Sequence, residues 1–424
     1  MSAERLPCKN TECRNTVLPA TAKANDGLCA PCIGKIRQAE RDEYIRINQR
    51  TVNLYEGVSD PVEIACIVLT HRKHDPLIVY ALAPTTSEEL FGTLSENDQL
   101  RLASIAADSI RAGESDIAEN IGKCLATLTD ANLDSMLHAW LDVKHVWPSV
   151  SFRNAGPAVR DRVIAGIERE DVNINHALGA LAWIGDDTVQ RKLAEWEQEP
   201  PQWRRALYVG PAEYAKVGGW ELLDHQRRNL CFDQCLALER TDDPSRASEV
   251  RFLTEQDEAC PWCGDKLVHL LEIPASRPEF AFLKFGGTTL PVLTCERCTC
   301  WGEHLFARIS DDDSTALHPT NRKSPPQTTA DFKWERGPWQ GIPVQLKHRR
   351  AIHAVDWCME LSATQIGGLP TWVQDSAYPS CPDCFRTMMF LAQIDNGHFI
   401  GHEGTYYAFW CSDCRVTATA YQQT

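Results

Sequence analysis

The sequence predicts an α+β chain in three parts: a small cysteine-rich module at 1–50, a mainly helical domain at 51–250 and a β-rich, pseudo-duplicated domain at 251–424. Three observations carry that prediction: the spacing of the cysteines, helical periodicity in the middle of the chain, and a segment near residue 260 that recurs 121 residues later. At 424 residues, 43% hydrophobic and 24% charged, the composition is that of a globular protein too long for one core of typical size. No run approaches the roughly 18 to 20 apolar residues of a membrane span. Met1 to Pro7 holds no apolar signal core, so the protein is expected in the cytoplasm, away from membranes.

Eighteen cysteines need a use other than disulfides, because cytosolic thiols stay reduced. Twelve fall into six close pairs, and the pairs form three sets of four. The first is Cys8-x4-Cys13 with Cys29-x2-Cys32, the second Cys260-x2-Cys263 with Cys295-x2-Cys298, and the third Cys381-x2-Cys384 with Cys411-x2-Cys414. A Cys-x2-Cys turn aims two thiolates at one ion, and two such turns complete the tetrahedron that structural zinc favours. Buried free thiols are common in cores, but that reading does not explain the pairing. The expectation is therefore an N-terminal zinc finger followed by two zinc ribbons, three four-cysteine sites in all. Cys300 lies close enough to replace Cys298. Because every position is cysteine, no site is open to water or substrate, and the role expected of the metal is structural. Cys66, Cys124, Cys231, Cys235 and Cys358 read as core thiols, with Cys231 and Cys235 one turn apart on an expected helix.

The second and third sets read as copies of one unit. CPWCGDKLVHLLEI (Cys260 to Ile273) and CPDCFRTMMFLAQI (Cys381 to Ile394) align without a gap, and each runs through a Gly-Thr into an apolar strand that delivers the second cysteine pair. Between the finger and this domain, Lys35 to Arg50 predicts a charged connecting or docking helix. The runs IACIVLT and LIVYALA within Val62 to Ala83 predict a hairpin or buried strands around the polar turn at His71 to Asp75. From Ser95 to about Trp203 the period becomes helical, with a cap at Ser95 and segments at Val159–Arg169, Asn173–Gly185 and Asp187–Gln198. Short amphipathic helices in succession resemble HEAT-type repeats. Ser310 to Asp331 predicts a polar loop, and beyond it Trp334, Trp339, Trp357, Trp372 and Trp410 are expected around the hairpins.

The formal charge is −15 and the sequence pI about 5.4. Residues 1–50 carry 9 basic and 6 acidic side chains, 51–250 carry 19 and 32, and 251–424 carry 15 and 20. The helical part is thus the acidic one, suited to steering a basic protein partner, with a merely solvated face as the alternative. Binding of nucleic acid by the whole chain is disfavoured.

Gly367-Gly-Leu-Pro-Thr-Trp-Val-Gln-Asp375, Tyr378-Pro-x-Cys-Pro-x-Cys384, Phe390-Leu-Ala-Gln-Ile-Asp395 and Glu403-Gly-Thr-Tyr-Tyr-Ala-Phe resemble the YwqG-like family of bacterial proteins over the last third of the chain. Ala182 to Leu222, with Pro200-Pro-x-Trp203 and Gly-Trp-Glu-Leu222, resembles the helical part of its cysteine-rich members. The resemblance implies a β-rich domain of unassigned function. It also implies a role, since members of such families sit beside bacterial polymorphic toxins, where an acidic, noncatalytic cytosolic protein serves as immunity factor. The expected function is therefore a non-catalytic immunity protein that binds and neutralises a basic toxin domain. The alternative is a nucleic-acid-associated regulator acting through Lys9, Arg14, Lys23, Lys35 and Arg37 of the finger segment. Enzyme motifs with a phosphate-cradling loop, Gly-x-Ser-x-Gly or His-Glu-x-x-His are absent, and Asp375 and Asp395 read as turn or cap residues.

Overall fold

The computed structural model describes residues 5–300, 304–321, 343–353, 355, 364–395 and 404–423. Cys358, Trp334, Trp339 and Trp357 lie outside the described residues. The chain forms two compact units, Met1–Thr85 and Thr86–Thr424.

In the first unit, β1 (Leu6–Pro7) pairs antiparallel with β2 (Thr16–Val17), followed by α1 (Pro19–Ala24) and the long helix α2 (Ala30–Asn48). The expected hairpin over Val62 to Ala83 is corrected here, because Pro61–Leu69 is a helix, α3. Asp60 accepts from the Val62 N–H, Pro61 opens the helix, and Val62, Ile64, Ala65 and Leu69 are buried. A cap and a proline at the first helical position outweigh β-branched propensity once the apolar face is covered. Only Ile78–Tyr80 (β4) is a strand, and it runs parallel to β3 (Arg50–Val52).

The second unit begins with the helices α4 (Ser87–Thr93), α5 (Glu96–Ala112), α6 (Ser115–Leu128), α7 (Asp134–Asp142), α8 (Pro157–Glu168), α9 (Ile174–Ile184) and α10 (Asp187–Gln198). Their ends follow the sequence signals. Ser95 and Asp98 form a reciprocal capping box, Asn173 caps α9, Gly185 ends it in the left-handed conformation, and Asp186 caps α10. Each helix buries one stripe, as with Leu102, Ala103, Ala106 and Ile110 of α5. A hairpin of β5 (Trp220–Leu223) and β6 (Gln226–Asn229) docks on α9, where the buried Trp220 indole donates to the Ala182 carbonyl at 2.8 Å. The backbone there leaves no room for a side chain at Gly218, whose Cβ would stand 2.2 Å from the same oxygen.

Two sheets follow. The smaller comprises β8 (Arg251–Ala259), β9 (Lys266–Ile273) and β10 (Leu290–Thr294), in the order β10-β9-β8. The larger joins β7 (Cys235–Arg240), β11 (Leu305–Ile309), β12 (Thr315–Leu317), β13 (Val344–Arg349), β14 (Gln365–Gly367), β15 (Met389–Asp395), β16 (Thr405–Cys411) and β17 (Val416–Gln422). Its order is β12-β11-β17-β16-β15-β14-β7-β13, antiparallel at every pairing. The principal core lies between the sheets, with Phe252, Val268, Leu271 and Val292 on one side and Leu236, Leu391, Tyr406 and Trp410 on the other. β16 is buried on both faces: Tyr406, Ala408 and Trp410 enter this core, while Tyr407, Phe409 and Cys411 enter a second one.

Three expectations change. Cys235 opens the strand β7 and Cys231 stands before it outside any helix, so the two thiols are not one helical turn apart. Residues 235–240, read with the helical region, pair inside the large sheet. The polar stretch after Ser310 contains a strand, β12, because its backbone completes the free edge of β11. Arg350 ties the helices to the sheet. Its guanidinium donates to the Thr127 and Thr129 carbonyls and to Asp130, and with Arg153 it holds the Asp130 carboxyl down at about 2.

Candidate metal centres

The three sets of four cysteines each come together, with the sulfurs of a set all within 4.8 Å of one another. In the first, the short β1–β2 ladder brings the Cys8-x4-Cys13 loop round, and the Cys8 N–H donates to Asn15 O at 3.0 Å. Gly27, at φ +79°, lets the chain return beside Lys9, and the Lys9 N–H donates to Gly27 O at 2.9 Å. Cys29 then stands at the N-cap of α2 and Cys32 in its first turn. Sulfur acceptors are supplied with donors: Cys29 N–H to Cys8 Sγ at 3.3 Å, Asn10 Nδ2 to Cys32 Sγ at 3.5 Å, and Asn15 Nδ2 to Cys29 Sγ at 3.7 Å. The Cys32 backbone N–H, assisted by Asn15, lowers the Cys29 thiol to about 6, whereas the hydrogen bond to Cys29 raises Cys32 to about 12. Asn10 and Asn15 were not singled out from sequence; their place inside a cysteine loop was the available signal.

The second and third sets share one knuckle. The Cys260 N–H donates to Asp265 O and the Gly264 N–H to Cys260 O; in the third set the Cys381 N–H donates to Arg386 O and the Phe385 N–H to Cys381 O. Gly264 and Phe385 occupy the same left-handed position, at φ +80° and +59°. The following strands agree as well. Leu270 in β9 and Leu391 in β15 are each the extra residue of a bulge against β10 and β16, and the two leucines coincide in the ungapped alignment. The two knuckles and the strands that follow them thus share one local geometry, down to its irregularity.

The second pairs differ. Cys295 stands at the N-cap position of the short helix α11 (Glu296–Thr299), which carries Cys298, while Cys411 and Cys414 flank the tight turn from β16 to β17. Sulfur contacts are 3.7 Å for Cys260–Cys298, 3.6 Å for Cys263–Cys295 and 3.7 Å for Cys384–Cys411. Cys298 therefore belongs to the second set. Cys300 does not: its sulfur lies 2.9 Å from the Tyr406 hydroxyl, and burial pushes its thiol up to about 11. Cys231 behaves alike, bonded to the Tyr378 hydroxyl at 3.2 Å and raised by burial to about 12.

In each set some thiols are pushed down and their neighbours up, as expected when like charges would share one small space. Hydrogen bonds donated by Cys295 and Cys298 lower Cys260, for example, and donating to Cys260 raises Cys295. A divalent cation removes that conflict by accepting all four sulfurs as thiolates. The donor sets fit zinc by softness and number.

A curated relative, the uncharacterized protein YpfL of Salmonella typhimurium (strain LT2), is 35% identical over 433 residues, spanning 99% of this chain and 100% of the relative. The chain belongs to the YpfL family. No family model matches it, and no solved structure does. The match to YpfL spans the stretches that carry all three cysteine sets and the helices between them. The segments read from sequence as characteristic serve packing in this YpfL-family chain. Gly367 and Gly368 hold φ +71° and +69° where a Cβ on Gly367 would meet Gln234 O at 2.3 Å. Gln393 accepts from the buried Thr371 N–H at 2.8 Å, and the Asp395 N–H donates to the Thr364 hydroxyl at 3.0 Å.

Proposed function

We propose that the protein is a non-catalytic, cytoplasmic immunity protein that uses three zinc-filled four-cysteine sites as scaffold and an acidic helical face to bind and neutralise a basic bacterial toxin domain. The observation that carries the reading is the charge of the helical part: residues 86–199 hold 20 acidic against 10 basic side chains. Glu96, Asp108, Glu114, Asp116, Glu195 and Glu199 stand among its exposed positions. Such a surface raises the encounter rate with a basic partner and favours it over acidic competitors. In this reading the helices are HEAT-like repeats, whose stacking offers an extended face, and the β domain is YwqG-like. The all-cysteine sets support a structural metal, since four thiolates complete the shell.

The test is capture of partners from the native host with tagged, zinc-loaded protein, washed at low and high salt, with nucleic acid measured in the same eluate. A near-stoichiometric basic toxin domain, released by salt and lost from an E195K/E197K/E199K variant, is the expected result. Nuclease-sensitive nucleic acid without such a protein would replace this reading with a regulator acting through the basic 1–50 segment.

A further inference from the structure

Within the first unit the helix α2 buries little of its surface among the described residues. Of its 19 residues only Cys32 is buried, although the helix carries Ile33, Ile36, Tyr44, Ile45 and Ile47. Ile36, Tyr44 and Ile47 are 43%, 58% and 63% exposed. At about 100° per residue, Ile33, Ile36, Tyr44 and Ile47 fall within an arc of roughly 80°, so they make one stripe. In proteins most helical stability comes from packing of an apolar face. Its start is fixed by the first cysteine set, with Cys29 at its N-cap position and Cys32 in its first turn.

The stripe is self-complementary about Glu40. Ile33 and Ile47 are equidistant from that residue, and so are Ile36 and Tyr44. The flanking charges obey the same symmetry with opposite sign: Arg37 precedes Glu40 by three residues and Glu43 follows it by three. Six residues apart, Arg37 and Glu43 do not face each other on one helix. On two antiparallel helices crossing at Glu40 they meet twice. Glu43 also holds Arg46 of its own helix at 2.6 and 2.7 Å, while Arg37 has no ion partner among the described residues. A parallel pair would set Arg37 against Arg37 and Glu43 against Glu43.

From this symmetry we propose that α2 is a dimerisation element, on which a second copy of the chain packs antiparallel with the two-fold axis at Glu40. Ile33 then packs on Ile47 of the second copy and Ile36 on its Tyr44, with an Arg37–Glu43 pair at each side. The Glu40–Glu40 approach on the axis opposes association, because like charges meet there. A helix about 28 Å long buries an area at the low end for specific complexes, so a reversible equilibrium is expected. The proposal stands apart from the toxin-neutralising reading.

Sedimentation equilibrium of the full-length, zinc-loaded chain over a wide concentration range tests it. Monomer–dimer exchange is expected. Ile36→Asp and Ile47→Asp should each weaken the dimer at least about tenfold, with zinc content and circular dichroism unchanged. Glu40→Leu should tighten it. Arg37→Glu and Glu43→Arg should each weaken the dimer, and the double exchange should restore it, which identifies the antiparallel pairing. A chain that stays monomeric throughout, a dimer indifferent to both aspartates, or a double exchange that restores nothing would overturn the proposal.

Discussion

The two ribbons of the β domain begin as the same object and end in different surroundings. Both have the Cys-Pro-x-Cys knuckle, the left-handed residue after it and a bulged leucine in the next strand. In the third set, β16 returns directly into β17, and both strands lie within the large sheet. In the second, β10 ends in α11, and the chain then leaves the small sheet: β11 pairs with β17 instead of with β10. The third site is therefore wired into the backbone of the large sheet, whereas the second reaches that sheet through side chains, in a small cluster where Leu267 and Leu293 of the small sheet meet Leu305 and Ala307 of β11. One local motif thus acquires two mechanical roles from the strand order around it.

The strongest way to break this contrast is to remove a ligand from each site. Structural zinc contributes on the order of 10 kcal/mol to a small module. Cys381→Ser should lose one zinc per chain and destabilise the large sheet with it, reading as a collapse of soluble yield and of the urea midpoint. Cys260→Ser should lose one zinc while hydrogen exchange stays slow in β15 to β17. Equal damage from the two variants would contradict the asymmetry. Within the second site, Cys298→Ala should release the metal and Cys300→Ala should retain it, as read by zinc stoichiometry.

A smaller effect separates the knuckles themselves. Gly264 has open space where a Cβ would stand, so Gly264→Phe should cost about 1–2 kcal/mol from its left-handed backbone alone. Phe385 is 81% exposed at the equivalent place, so Phe385→Gly sacrifices no packing and should be neutral or gain up to about 1 kcal/mol in the denaturant midpoint. A large loss on Phe385→Gly would contradict the reading of an exposed ring on a strained backbone.

The copies also differ in acid response. Glu272 aligns with Gln393. The hydrogen bond with His269, against the cost of burial and with help from Arg251, holds the Glu272 carboxyl below its ordinary 4.5. A lowered carboxylate stabilises the fold above its unfolded value and loses that contribution as pH falls through the folded one. Unfolding followed downward from pH 5 should therefore loosen β9 before β15, and Glu272→Gln should flatten the profile. Least of all, Asp383→Asn should cost under about 1 kcal/mol, because it keeps a hydrogen-bonding side chain and weakens only the charge pairing of the half-exposed Arg308, which with His318 grips the third knuckle at 2.7 and 3.1 Å. Trp262 fills that position in the second knuckle.

Much of this was legible in the residues. The pairing of cysteines, the duplicated phrase and the helix caps at Ser95, Asn173 and Asp186 are short-range features, and the structure repeats them. The misreading of Val62 to Leu69 shows where composition misleads. A β-branched run becomes a helix when Asp60 and Pro61 start one and its apolar face is buried. Cys231 and Cys235 failed for a related reason, since spacing alone does not tell a helical turn from the entry to a strand.

What the sequence determined by itself was local: which cysteines form knuckles, where helices start, and that one unit occurs twice. These rest on hydrogen bonds that close within a few residues. Only the tertiary structure decided that Cys298 joins the second set while Cys300 turns to Tyr406, that β7 enters the large sheet, and that β11 crosses to β17. Those outcomes depend on pairing between strands distant in the chain, where many registers satisfy the same backbone groups and the burial of both faces selects among them.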